Sequence, residues 1–312
     1  MLDYEKVLKY NRSSLIKYNW TPSWFGGEAL DSDLVDLVCK FQEENGLSPD
    51  GLVGPSTYRR VLAEALSKQS GFKGEKTRKR KKEMFLIYNG EEYKIFWPKV
   101  RIYTEKSGLS IEGKNYYSFQ DKPKRDPIQF VNHWDAALTS KSCVNIINKR
   151  NLSMHFCIDN DGTIYQLMDM QDAAWQAGNK LSNIIGLGVE ISNAFYPKYQ
   201  NWYVKNGFGK RPIEPRSTLH TNKIVQEHLG FYKVQLDALA ALWECVSYAC
   251  NIPLEVCETK GVDEDCVAGK FNGFINHFNL TNNKIDCASL NMKEVLEVAL
   301  EVRAERELTF SC

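Results

Sequence analysis

Five short strings hold the side chains able to do acid, base or metal chemistry. FVNHWDAAL contains His133; SMHFCIDNDGTIYQL contains His155 and Cys157; AWQAGN contains Gln176; GLGVEIS contains Glu190; and NHFNLTNNKIDC combines His277, Lys284, Asp286 and Cys287. Two imidazoles with one carboxylate or thiolate suit zinc: three protein ligands leave one tetrahedral position open, which marks a catalytic rather than a structural site. Water at an open position becomes acidic near neutral pH and can attack an amide carbonyl. A nearby carboxylate would relay the proton and a cation would hold the oxyanion. Glu190, between Val189 and Ile191 in an apolar run, is costly to bury unless it is paired or functional.

These side chains need a scaffold, and the pattern from about residue 127 supplies one. Short β runs at Ile128–His133, Ser153–Asp159, Thr163–Leu167 and Gly186–Ser192 alternate with helical segments. An Asp161-Gly162 turn joins the second run to the third. Val234, Leu236, Leu239, Leu242, Trp243 and Val246 form an apolar stripe on a helix of about five turns. The expectation is an α/β domain with a mixed central sheet flanked by helices. His133 falls at the end of a buried strand, and metal-capable histidines lie near both ends of the domain.

Over roughly residues 127–300 the five strings, in this order, resemble the zinc-dependent N-acetylmuramoyl-L-alanine amidases of type 2, a family that includes phage lysozyme-type amidases and peptidoglycan recognition proteins. The resemblance implies Zn2+ held by His133, His277 and a third ligand. Lys284-Ile285-Asp286 fits a K-x-D pattern that selects Asp286, and Asp286-Cys287 fits a D-C pattern that selects Cys287. Adjacent loop residues do not ordinarily both reach one zinc, and Asp286 is preferred. Glu190 matches the general base and Lys284 the group that stabilises the oxyanion. Some relatives use a tyrosine before the histidine of the HF string; Met154 stands there and transfers no proton. His155 is near the family's pocket without being a usual ligand. Gln176 replaces a histidine common in AWHAG, while His220 and His228 lie outside every matched string.

The first 70 residues read as a small all-α unit. Leu34, Val35, Val38 and Phe41, with Ser32 and Asp33 as cap candidates, mark one amphipathic helix. Turn chemistry fills Asn45–Gly51. Gly54-Pro55-Ser56-Thr57 opens a second helix with Tyr58, Val61, Leu62 and Leu66 on its apolar face. The string FQEENGLSPDGLVGPSTYRRVL resembles the helical peptidoglycan-binding repeat over about residues 20–68. In that family the module holds wall material and does no chemistry.

The expected organisation is a binding module at 1–70, a basic linker at 71–83, an extension at 84–126 containing a β-hairpin with an Asn89-Gly90 type I′ turn, and the amidase domain at 127–312. Residues 73–82 carry seven basic groups and one acidic group, and the remainder of the chain stands at −5. That run reads as a solvated linker, or as an element attracted to anionic wall polymer or lipid headgroups. The whole-chain charge of +1, from 40 Lys+Arg against 39 Asp+Glu, argues against nucleic acid as a partner. Nine cysteines without a CxxC pair read as reduced, mostly buried thiols. The N-terminus lacks a signal-peptide pattern, and no apolar run approaches 18 residues.

The expected function is an endolysin-like, bacteriolytic peptidoglycan hydrolase. It would accumulate in the host cytoplasm and cut the bond between N-acetylmuramic acid and L-alanine with zinc-activated water. The rivals are a non-catalytic muropeptide-binding protein, a virion-associated lysin of the same chemistry, and a cysteine hydrolase using Cys157 or Cys287 with His155.

Overall fold

The computed structural model describes residues 2–58, 60–62, 83–113, 115–219 and 223–310. The chain divides into two compact units, Met1–Lys79 and Arg80–Cys312. Leu66, the basic run 73–82, His220 and Cys312 lie outside the described residues.

The first unit contains a helix that the apolar pattern does not announce, Tyr4–Tyr18, ahead of the helix Ser32–Glu44 and helical turns over 55–58 and 60–62. The inward face of Tyr4–Tyr18 presents Val7, Asn11 and Ser14. Asn11 donates to the Gly51 carbonyl and accepts from the Val53 amide, so polar groups take the place of an apolar stripe. The helix Ser32–Glu44 is capped by Asp31, which accepts from the Leu34 amide at 3.1 Å; this corrects the Ser32 and Asp33 expectation. Trp20, Phe25, Leu34, Val38, Phe41, Val53 and Val61 form the core.

Within the FQ and DG pairs, buried Gln42 accepts from the Gly51 amide and donates to Asp50 and Thr57. Gly51 has φ +71°, and a β-carbon there would stand 2.8 Å from a Val35 methyl group. The position therefore demands glycine both by conformation and by space.

The second unit is built on a six-stranded mixed sheet. Its spatial order is Gly273–Asn276, Gln129–Trp134, Gly186–Ile191, Phe156–Ile158, Ile164–Gln166 and Val100–Ile102. All neighbours pair in parallel except Phe156–Ile158 with Ile164–Gln166. Alternation along the strands separates the two faces. Phe130, Phe156, Leu187, Val189 and Phe274 enter the main core with Trp243 of the helix Lys233–Cys250, and the helix Met292–Phe310 packs against that helix. Val131, His133, Glu190 and Ile275 belong to the opposite set.

The strand Gly273–Asn276 and the helix Met292–Phe310 carry no strong sequence signal. The strand is four residues long, and the long helix has only a weakly segregated apolar face.

Residues 84–126 join this unit. Met84–Tyr88 and Glu91–Ile95 form a hairpin, with Asn89 and Gly90 both at positive φ (54° and 74°). The Asp169 carboxylate accepts from both turn amides. Tyr116–Tyr117 pairs with Ala173–Ala174, and Val100–Ile102 forms one edge of the sheet.

Candidate active site and metal centre

The candidate residues gather at the carboxyl ends of three parallel strands, where open α/β sheets ordinarily place their ligands. His133 and Glu190 are each the penultimate residue of their strand and are direct register partners. Partners side by side in a parallel pair point to the same face, which sets the glutamate beside the imidazole. Asn276 pairs with Asn132, and the next residue, His277, begins a 3-10 turn over His277–Asn279. The chain then loops through Lys284 to return Asp286 to the sheet end; the Phe278 amide donates to the Asp286 carbonyl at 3.0 Å.

Three donor atoms converge there. Asp286 Oδ2 lies 2.9 Å from His277 Nδ1 and 3.2 Å from His133 Nδ1. The two imidazole rings stand edge to face, with centroids 4.3 Å apart. Both histidines are only 3% exposed, and all three donor atoms lie within 4.8 Å of one another. Burial alone would raise the Asp286 pKa, but the hydrogen bonds from His133 and His277 drive it well below the ordinary carboxylate range. Two imidazole nitrogens and a carboxylate oxygen directed at one point form a donor set that a divalent cation fits.

Cys287 takes a different environment. It is fully buried in the main hydrophobic core, its thiol is pushed well above its ordinary pKa by burial, and it stands outside the His133, His277 and Asp286 group.

Glu190 is partly exposed, yet its Oε2 is buried and has no hydrogen-bond partner among the described residues. Burial pushes its pKa up to about 8; the His133 and Lys284 charges pull it down, while those of Asp135 and Asp286 push it up. A carboxyl group poised near neutrality beside the candidate ligands has the properties of a proton relay. Lys284 is exposed and lines the adjoining cleft with His277.

Among the described residues the two other histidines, His155 and His228, are accounted for by packing. His155 is fully buried, with Nε2 2.9 Å from the Asp172 carbonyl and Nδ1 accepting from the Gly188 amide at 3.2 Å. Burial, assisted by the Arg125 charge, holds it neutral with a pKa pushed down to about 3. Both of its ring nitrogens are therefore engaged by backbone, which disfavours a Cys157–His155 nucleophilic pair. His228 stacks on Phe195 and bonds the Gln226 carbonyl and Ser289. Met154 is buried in a satellite apolar cluster.

The cleft beside the site has a volume of about 720 Å³ and is lined by Tyr117, Arg150, Trp175, Gln176, Lys180, His277 and Lys284, among others. Tyr117 and Trp175 have ring centroids 5.6 Å apart, and Lys180 stands over the Tyr117 ring. Sequence reasoning did not reach Tyr117, Arg150 and Lys180: they come from a short pairing segment and two helix ends, with no motif to mark them. Gln176 Oε1 lies 3.0 Å from His133 Nε2.

Residues 123–277 match the model of the N-acetylmuramoyl-L-alanine amidase family, and this stretch is an amidase domain of that family. The matched region contains His133, Glu190 and His277 and ends at His277. No curated protein sequence matches the chain. Among solved structures, an AmpD derivative shares 16% identity, covering 69% of this chain and 99% of its own, with a TM-score of 0.37. The N-acetylmuramoyl-L-alanine amidase LysC from Clostridium intestinale shares 15%, covering 64% and 95%, with a TM-score of 0.36. The Staphylococcus aureus hydrolase AmiA, in complex with its ligand, shares 9%, covering 67% and 84%, with a TM-score of 0.41.

Proposed function

We propose that the amidase domain is zinc-dependent and cleaves the bond between the lactyl group of N-acetylmuramic acid and L-alanine in bacterial peptidoglycan. The observation that carries this reading is the convergence of His133 Nδ1, His277 Nδ1 and Asp286 Oδ2 beside the unpaired carboxyl oxygen of Glu190. His133, His277 and Asp286 would hold the ion, with Asp286 as third ligand and Cys287 packing behind it. When bound, zinc supplies a Lewis acid and lowers the pKa of water toward neutrality.

The chain's own residues would do the rest. Glu190 takes the proton from the attacking water and delivers it to the departing amine, a two-way task suited to a carboxyl group with a pKa near neutrality. Lys284, at the rim of the cleft, neutralises the oxyanion that develops on the scissile carbonyl. Arg150 and Lys180 offer cations to the carboxylates of a stem peptide, and the Tyr117 and Trp175 rings offer apolar faces to a sugar.

The N-terminal unit is proposed as a peptidoglycan-binding module. Its support is the resemblance carried by the FQ, DG and VGP strings, together with the buried Gln42 network that ties the first two of them. Tethering a binder to a cutter raises the local substrate concentration. Among the described residues no helix is long and apolar enough to cross a membrane. Endolysin-like action, with accumulation in a host cytoplasm before release onto the wall, fits these features; a virion-associated lysin would use the same chemistry.

The deciding experiment incubates the full chain with purified peptidoglycan, with and without chelator, and follows released stem peptide and bound zinc. Zinc-dependent release of free stem peptide is expected. A protein that binds the wall, contains no metal and releases nothing would instead be a recognition protein.

A further inference from the structure

A second cluster of metal-binding side chains lies in the same unit, outside the amidase site. Cys257 Sγ, Cys266 Sγ and a carboxylate oxygen of Asp263 are all within 4.8 Å of one another. Cys266 is fully buried and Cys257 is 7% exposed, both in an apolar cluster with Val131, Ile275 and Leu280.

Each donor is held by backbone. Cys257 follows a short parallel bridge to Phe274 and donates its amide to the Phe274 carbonyl at 3.0 Å, at the outer edge of the strand that leads to His277. Cys266 sits on the short helix Glu264–Val267, and its carbonyl accepts from Gln129, the first residue of the His133 strand, at 2.9 Å. Asp263 caps that helix by accepting from the Cys266 amide at 2.9 Å, and its other oxygen accepts from the Thr259 hydroxyl at 2.7 Å.

We propose that Cys257, Asp263 and Cys266 bind a divalent metal of the zinc class at a second site, separate from the His133, His277 and Asp286 group. Two sulfurs and a carboxylate oxygen suit that class of ion and occupy three tetrahedral positions, leaving the fourth to water. Binding releases the thiol protons and closes the loop 257–266. That loop is tied to the catalytic segment: Asn279 donates to the Thr259 and Gly261 carbonyls, and the Asp263 amide donates to the Asn279 carbonyl. The ion would therefore brace the turn that begins with His277.

Cobalt(II) is the probe, added to the full-length protein under reducing conditions, because a thiolate-to-cobalt charge-transfer band reports sulfur ligands specifically. The band is expected in the wild type and in His133→Ala/His277→Ala, which removes the other metal group, so its result is separate from that of the amidase reading. It should disappear in Cys257→Ser and in Cys266→Ser, with zinc content falling by one equivalent in each. Asp263→Asn, which keeps both sulfurs and can still accept at the helix cap, should keep the band with weaker affinity. Absence of the band in natively folded, reduced wild type overturns the proposal. So does its persistence in the Cys257→Ser/Cys266→Ser double variant, or a Cys257–Cys266 disulfide whose reduction creates no cobalt site.

Discussion

Gln176 Oε1 lies 3.0 Å from Nε2 of His133, on the far side of the ring from Asp286. A glutamine oxygen there selects the tautomer with its proton on Nε2, leaving the Nδ1 lone pair for a metal. Space for the glutamine comes from Gly188, where a β-carbon would stand 1.6 Å from the same oxygen. The departure from histidine at this position thus has a definite structural use.

Gly188→Ala should displace Gln176 and lower zinc affinity about 10- to 100-fold, and Gln176→Ala should do much the same. The two effects should not add, because both remove one hydrogen bond. Zinc competition titrations of the single and double variants measure this directly. Additive losses would mean that the glycine and the glutamine act separately.

Glu190→Gln is expected to retain zinc and lose on the order of 10² or more in turnover, as for removal of a general base. Lys284→Met should also retain zinc and lose roughly 10²-fold in kcat, the scale of one oxyanion contact. Stem-peptide release and metal content, measured on the same preparations, test both roles. Full activity in either variant removes that residue from the chemistry.

Asp286→Ala should abolish tight zinc binding by deleting the carboxylate on which both imidazoles converge. Cys287→Ala should leave zinc bound and instead lower the melting temperature, because a buried sulfur leaves a small cavity in the core. Zinc content and thermal denaturation together distinguish ligand from packing residue.

The metal-free protein should lose stability as pH rises from the ordinary carboxylate range toward 8. Glu190 binds its proton more tightly when folded, with a pKa near 8 against 4.5. The unfolded chain therefore releases that proton first, and folding carries the cost of keeping it. Above about pH 8 this dependence levels off. Denaturant titrations across this range should show a loss on the order of a few kcal/mol in wild type and a flatter profile in Glu190→Gln.

Much of the catalytic domain is legible in sequence because its elements are strongly periodic. The strand around Phe130–His133 and the stripe from Val234 to Val246 bury continuous apolar faces, and such faces are local facts. The helix Tyr4–Tyr18 is not legible in this way, since Asn11 and Ser14 turn inward and find backbone partners far along the chain. The four-residue strand Gly273–Asn276 exists because Gln129–Trp134 offers it a parallel edge.

The sequence by itself determined which chemistry was available: the identities of His133, Glu190, His277, Lys284, Asp286 and Cys287 follow from the strings that contain them. Only the tertiary structure decided between Asp286 and Cys287 as the group facing both imidazoles. These neighbours are adjacent in the chain but have opposite surroundings, one between two imidazoles and the other in the apolar core. Register made the same kind of decision for Glu190, because pairing with His133 across parallel strands places both on one face. Residue type is a local property, whereas which side chains converge depends on strand order and on a loop returning to the sheet end, and these are settled only when distant segments pack together.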